Sequence, residues 1–305
     1  MNIKQIEELA KNTFSSWLAD YAQSMGAALA YYTLFSIAPL LLIVISIAGI
    51  LFGQAAARGE IFDQLQGLMG TEGAYALQGL LASVSKPGQG IAGTIVGIIL
   101  TLLGATTVLN ELQNSLDRIW RAPERVKSSG LWNLLRSRLP AFGMVLGIGF
   151  LLMVSLVFHA VMAALEKWMK PVFGQWALLA NAVNLGITFA LTIAVFAMIY
   201  KLMPRVSIRW HDVWIGATVT AVLFTVGKYL IGIYIGRSGI TSGFGAAGSL
   251  VVFLVWVYYS AQIFLMGAEF TWVYTRTFGS RKGELGTDKA PAGQKTEQQA
   301  QQQVQ

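Results

Sequence analysis

Six long apolar stretches alternate with polar loops along the 305 residues of this chain. They cover residues 25–53, 91–109, 139–165, 177–200, 213–235 and 247–273. About 20 helical residues cross a hydrocarbon core of ~30 Å, and the shortest stretch has 19 residues. Because a chain in lipid must satisfy its own backbone hydrogen bonds, each stretch is predicted to be an α-helix. The pattern therefore predicts an all-α integral membrane protein with six transmembrane helices.

Lysine and arginine are unevenly divided between the loops on the two sides of these spans. Of the 22 basic residues, 16 lie in the N-terminal segment, the second loop, the fourth loop and the tail. Five lie in the other three loops, and Lys228 lies inside a span. Loops on the cytoplasmic side of membrane proteins carry the excess of positive charge. Both termini are therefore predicted to be cytoplasmic.

Residues 1–278 are predicted to form a single membrane domain with two helical features outside the spans. Residues 3–21 place apolar side chains at helical spacing, which predicts an amphipathic helix in the cytoplasmic interface. Residues 54–90 predict short helices over the outer mouth. The polar, Gln-rich residues 279–305 predict a disordered tail. The N-terminus lacks the pattern of a removable signal peptide, so none is expected.

Composition argues against several kinds of chemistry. The net charge of +7 lies on one side of a bilayer, so anionic headgroups explain it and no nucleic-acid partner is expected. The chain has no cysteine and only two histidines, so we predict no metal and no cofactor. The carboxylates of the cytoplasmic loops lack the spacing of metal ligands, and Asp117 beside Arg118 fits a solvated or interfacial helical extension. The protein is therefore not expected to be an enzyme.

Proline and glycine positions give the first information on packing within the spans. Pro39 is predicted to kink the first span or to divide it into two halves. Gly216, Thr220 and Gly227 lie on one face of the fifth span, which favours close helix packing. The neighbour is either another helix of the bundle or a second subunit, so a homo-oligomer stays open.

Polar faces inside two spans are the main candidates for a functional site. At 100° per residue, Tyr258, Gln262 and Glu269 fall within about 40° of each other on the sixth span. The fourth span has a polar face made of Asn181, Asn184, Thr188 and Thr192. Such faces are costly against lipid, so they either line a pathway or join helices through hydrogen bonds. The residues alone leave both interpretations open.

Lys228 and Glu269 are ionisable residues inside spans. With the predicted orientation they are separated by roughly 20 Å along the membrane normal, so no salt bridge between them is expected. Lys228 either extends toward the outer surface or faces the pathway. Glu269 is expected to pair with a cytoplasmic-end cation such as Arg118 or Arg205, or to accept protons.

Two long motifs resemble a known family. Residues 26–41 read GAALAYYTLFSIAPLL, and residues 248–270 read GSLVVFLVWVYYSAQIFLMGAEF. They resemble the first-span and last-span signatures of the YihY/BrkB family of bacterial inner-membrane proteins. The resemblance implies a six-span protein of the bacterial inner membrane, in a family labelled transporter, virulence-associated or ribonuclease without an agreed activity. The family pattern singles out Tyr31, Tyr32, Pro39, Tyr258, Gln262 and Glu269.

Three functional classes are compatible with these features. The favoured class is a transporter, or a lipid or small-molecule export-type protein, with a polar intramembrane cavity. Glu269 would titrate or bind a cation, and Gln262 and Tyr258 would contact the substrate. The remaining predicted pathway residues are Tyr31, Tyr32, Pro39, Asn181, Asn184 and Lys228. The alternative is a membrane scaffold that binds partners or lipids, and an enzyme is the third class. The substrate, the direction of transport and the coupling ion cannot be read from the residues.

Overall fold

The computed structural model describes about three fifths of the chain. The described residues are 2–55, 58–59, 61–63, 65–66, 74–75, 77–79, 81, 107–123, 176–238, 243–244 and 248–282. Five long helices lie in this part: α1 (Ile3–Ala19), α2 (Ala22–Phe52), α3 (Trp176–Leu202), α4 (Trp210–Ser238) and α5 (Gly248–Thr277). Residues 107–119 are also helical. The part of the chain described here contains no β-strand, which agrees with the predicted all-α class.

Three of the helices contain segments that are long and apolar enough to cross a membrane. These segments are Leu185–Leu202, Trp210–Ile235 and Leu250–Thr277. They coincide with the fourth, fifth and sixth predicted spans. The third predicted span and most of the second lie outside the described residues, and so does the tail beyond residue 282. The number of six spans and the disordered tail therefore stay predictions.

Helix α2 covers the first predicted span without a break. It has 31 residues, which is about 46 Å of helix and more than a ~30 Å hydrocarbon core requires. The helix is continuous across Pro39, so the first span is not divided into two separate helices. Beyond α2, the described residues between 54 and 81 are all helical, as predicted for the outer loop. A small apolar cluster of Leu41, Leu77 and Phe253 joins this region to α2 and α5.

Helix α5 is the centre of the described bundle, because α1, α2 and α4 all pack against it. Its glycine Gly267 lies against Thr220 of α4, and a Cβ added there would come within 2.0 Å of the Thr220 hydroxyl oxygen. A Cβ on Gly216 of α4 would come within 1.9 Å of the Thr271 hydroxyl oxygen. The predicted close packing on the Gly216, Thr220 and Gly227 face of α4 is therefore confirmed, and its neighbour is α5 of the same chain.

Helix α1 is the predicted amphipathic helix, and the structure shows which face is covered. Leu9 and Thr13 are buried, and α1 packs against α5. The apolar side chains Ile3, Phe14 and Leu18 remain 84%, 53% and 45% exposed. An uncovered apolar arc beside a packed face is what a helix at a membrane surface requires. Its location in the cytoplasmic interface stays a prediction.

Candidate functional site

Glu269 is the predicted site residue that the structure places most deeply. It lies on α5 between the buried residues Leu265 and Val273, and none of its surface is exposed. Neither of its carboxyl oxygens accepts a hydrogen bond from any residue in the described ranges. A carboxyl group in this position is costly unless it is paired, protonated or functional.

The group that faces Glu269 is Asp20, at the end of α1. Asp20 is the C-cap of α1 and is only 4% exposed. The next residue, Tyr21, has φ of 56°, in the left-handed region, and this sharp elbow separates α1 from α2. The Asp20 carboxyl lies close enough to Glu269 for the two groups to interact electrostatically. Asp20 Oδ2 accepts no hydrogen bond from the described residues, so two carboxyl groups face each other without a protein donor between them.

Arg121 supplies the positive charge of this site. Its Nη1 donates to Asp20 Oδ1 at 2.7 Å, and its side chain is 41% exposed. Arg121 has φ of 52° and follows helix 107–119, where its N–H donates to the Arg118 carbonyl oxygen. The Ala122 N–H donates to the Asp117 carbonyl oxygen, so the helix ends in a Schellman motif. This motif usually has glycine in the left-handed position. Here the position is occupied by Arg121, whose side chain forms the ion pair with Asp20.

The Trp272 ring lies beside two cations, one of which is Arg121. The Arg121 and Arg276 guanidinium carbons lie 5.5 Å and 4.4 Å from the centre of the Trp272 ring, which are cation–π distances. Trp17 and Trp120 belong to the same packed cluster. The indole N–H groups of Trp17, Trp120 and Trp272 are buried without an acceptor among the residues described. One of these unpaired donors, on Trp272, belongs to the ring that lies beside Arg121.

Gln262 also faces the junction between α1 and α2. Its Nε2 lies 3.5 Å from the Ala22 carbonyl oxygen and 3.4 Å from that of Gln23. Gly26 makes this approach feasible, because a Cβ there would lie 2.0 Å from the same nitrogen. The side-chain oxygen of Gln262, Oε1, accepts no hydrogen bond from the described residues. Gln262 and Glu269, two residues of the polar face of α5, therefore both face the region where α1 meets α2.

Among the side chains that the structure describes, none of the other predicted site residues lies at the carboxyl pair. Tyr31 is 57% exposed and contacts the rings of Tyr32 and Phe35. Tyr258 is half-buried on α5. Lys228 lies over the Tyr229 ring and forms no ion pair with Glu269, as predicted. The side chains of Pro39, Asn181 and Asn184 lie outside the described part of the structure.

The predicted partners of Glu269 were wrong. Arg118 instead lies over the ring of Tyr21 at 5.7 Å. Arg205 pairs with Asp117, with Nε at 2.7 Å and Nη2 at 2.6 Å from Oδ2. The Arg205 backbone N–H also donates to Asp117 Oδ1 at 2.9 Å. Asp117 is thus buried rather than solvated, and it fixes the end of helix 107–119 to the loop between α3 and α4.

Asp20 and Arg121 are the site residues that sequence reasoning missed. Asp20 lies on the same face of α1 as the buried Leu9 and Thr13, so helical periodicity extended to the last residue would have identified it. No pattern in the sequence connects Arg121 with Asp20 or Glu269. The sequence signal for its role was therefore weak, because only a left-handed backbone turns its side chain toward Asp20.

The chemistry of the donor set favours a proton as the bound ion. Ca²⁺ takes six to eight oxygen ligands and Mg²⁺ takes about six. This site offers two carboxyl groups, and Arg121 already occupies one oxygen of Asp20. A single proton between two facing carboxyl groups turns one of them into a donor to the other, which gives one oxygen of each group a partner.

Comparisons with other proteins identify related sequences across most of the chain. The family described as Virulence factor BrkB matches residues 13–291. A UPF0761 membrane protein of Tolumonas auensis is 27% identical over 267 residues, covering 84% of this chain and 83% of the relative. A UPF0761 membrane protein of Pseudomonas aeruginosa is 26% identical over 263 residues, covering 86% of this chain and 61% of the relative. The chain therefore spans about three fifths of the length of that longer relative. No solved structure matches this chain.

Proposed function

The chain belongs to the Virulence factor BrkB family of membrane proteins, and we propose that it is a transport-type protein with a proton site at Asp20 and Glu269. The observation that carries the proposal is the buried carboxyl pair, whose facing oxygens have no donor among the described residues. The names of the relatives give no activity beyond "membrane protein".

Electrostatics supports a proton in this pair. Two ionised carboxyl groups in a protected site repel each other, and Arg121 neutralises only one of them. One added proton leaves a single negative charge opposite a single positive charge and lets one carboxyl group donate a hydrogen bond to the other. Ionisable groups held within membrane bundles are costly and commonly belong to ion or proton pathways.

Access to the pair supports exchange of the proton. The side chain of Arg121 is 41% exposed whereas that of Asp20 is 6% exposed, so solvent reaches the pair along the arginine. Asp20 and Glu269 also belong to different elements, α1 and α5. Movement at the Tyr21 elbow would separate the two carboxyl groups and change their affinity for a proton. Coupling of protonation to such a movement is what a proton-driven transporter needs.

The proposal gives the polar residues nearby a second role. Gln262 lies beside the same junction and would contact the transported molecule, together with Tyr258 on α5. Lipids and small molecules are both suitable cargo classes. Tyr31, Tyr32, Asn181, Asn184 and Lys228 would belong to the remainder of the pathway, away from the proton site.

The first experiment tests the proton site directly. Infrared difference spectra of the purified protein, recorded during a pH titration, should contain the band of a protonated carboxyl group. We expect Glu269→Gln to remove this band, whereas Glu111→Gln, on helix 107–119, should leave it unchanged. A band that survives Glu269→Gln would contradict the assignment.

The second part of the experiment tests transport. Proteoliposomes loaded with a pH-sensitive dye are given a membrane potential, and the initial rate of proton entry is measured with a panel of lipid and small-molecule cargoes. Glu269→Gln should reduce cargo-stimulated proton entry at least tenfold, with Glu111→Gln as the control. If no cargo stimulates proton entry and a stoichiometric protein partner is recovered by crosslinking, the scaffold alternative replaces this proposal.

We also propose that the protein lies in the bacterial inner membrane with both termini in the cytoplasm. The excess of basic residues in alternate loops and the family relationship support this orientation. Fluorescent protein fused after the tail should fluoresce, and alkaline phosphatase fused there should be inactive. The reverse result would place the carboxyl pair on the opposite side of the membrane.

A further inference from the structure

A cavity of about 210 Å³ lies at the end of α2 that is remote from the carboxyl pair. It is enclosed by Leu42 and Ile45 of α2 and by residues of the helical region that follows. The apolar residues from that region include Ile61, Phe62, Leu65 and Leu81. Asp20 and Leu42 are separated by about 30 Å along the helix, so the cavity is distinct from the candidate proton site.

Arg58 is the charged residue in the lining of this cavity. It is exposed, and no carboxylate in the described residues forms an ion pair with it. The exposed side chain of Gln78 is the second polar group of the lining. The cavity therefore combines apolar walls with a cation and an amide. These features are complementary to a ligand that has an anionic headgroup and an apolar chain.

We propose that this cavity binds the acyl chain of an anionic phospholipid, with the lipid phosphate on the Arg58 guanidinium. A guanidinium presents two parallel N–H donors that match phosphate oxygens. The volume is below the ~300–1,000 Å³ typical of sites that enclose whole ligands, so it fits a segment of one chain and leaves the headgroup outside. A protein embedded in a bilayer is in contact with phospholipid at all times. The site does not rest on the proposed proton function.

Photocrosslinking tests the assignment. The full-length protein is placed in nanodiscs that contain phosphatidylglycerol with a diazirine on its acyl chain, and labelled peptides are identified by mass spectrometry. We expect labelling on the peptides that contain Ile45 and Phe62. Arg58→Gln should reduce it about tenfold, which corresponds to the loss of one charge-assisted hydrogen bond. Arg237→Gln, an exposed cation near the end of α4, should leave it unchanged.

Two further labelling measurements distinguish binding of an anionic phospholipid from binding of other lipids. Leu65→Trp fills the cavity and should prevent labelling while Arg58 remains, with size-exclusion chromatography confirming that the variant is folded. The same diazirine chain on phosphatidylcholine should label at least fivefold less. Equal labelling by the two lipids, or unchanged labelling in Arg58→Gln, would overturn the proposal. A free fatty acid that competes more strongly than phosphatidylglycerol would overturn the assignment to a phospholipid.

Discussion

Replacing Arg121 with glutamine is expected to lower the free energy of unfolding in detergent micelles by about 2–3 kcal/mol. Removal of one partner of a buried ion pair costs about 3–5 kcal/mol, and the 41% exposure of the Arg121 side chain reduces that figure. The reason is that Asp20 stays buried beside Glu269 without a cation. Unfolding by titration with a denaturing detergent, followed by circular dichroism, measures the change.

A glycine at the same position distinguishes the contribution of the ion pair to stability from the contribution of the backbone conformation. Arg121 has φ of 52°, which glycine adopts without a steric penalty. Arg121→Gly therefore loses the same ion pair and should still be about 1 kcal/mol more stable than Arg121→Gln. Arg118→Gln, an exposed neighbour, serves as control and should change stability by less than about 1 kcal/mol. Equal stabilities of the glycine and glutamine variants would contradict the left-handed conformation.

Replacing Gly216 with alanine is expected to destabilise the packing of α4 on α5 by about 1–3 kcal/mol. The new methyl group would lie 1.9 Å from Thr271 Oγ1 and 2.7 Å from its Cβ, so one of the helices must shift. The Thr271 hydroxyl donates to the Gly267 carbonyl oxygen of its own helix, which limits its rotation. The thermal melting temperature of the purified variant is the simplest measurement.

Gly232 on the same helix provides the matched control. A Cβ at Gly232 meets no atom within 4 Å, and the residue is exposed. Gly232→Ala should therefore leave stability unchanged or raise it by up to about 1 kcal/mol through helix propensity. A loss at Gly232 that equals the loss at Gly216 would show that α4 tolerates no added methyl group, and that contact with α5 is not the cause.

The helices could be predicted from the sequence because hydrophobic length and periodicity determine them. The same periodicity placed Gly216, Thr220 and Gly227 on one face, and that face is packed. It also placed Gln262 and Glu269 together. Helical angles give the direction of a side chain but not the identity of the neighbouring helix. The partners of Glu269 were therefore chosen from nearby cations by depth alone.

The contact of Asp20 with Glu269, the role of Arg121 and the Asp117–Arg205 pair could not be found in this way. The Asp20 contact lies beside the left-handed conformation of Tyr21, which residues other than glycine seldom adopt. Asp117 and Arg205 are separated by 88 positions in the chain, so their contact depends on how two helix ends meet. Such contacts are fixed by the assembled bundle rather than by any local pattern.

One of the two buried carboxyl groups belongs to Asp20, which precedes the first predicted crossing of the membrane. Asp20 closes α1, a helix of 17 residues that trimming to the predicted spans would discard. A shortened version that starts at the first crossing would insert normally and would lack one of the two acidic groups. Fusion partners and affinity tags on this protein therefore belong at the C-terminus, because an altered N-terminus acts on the interior of the bundle.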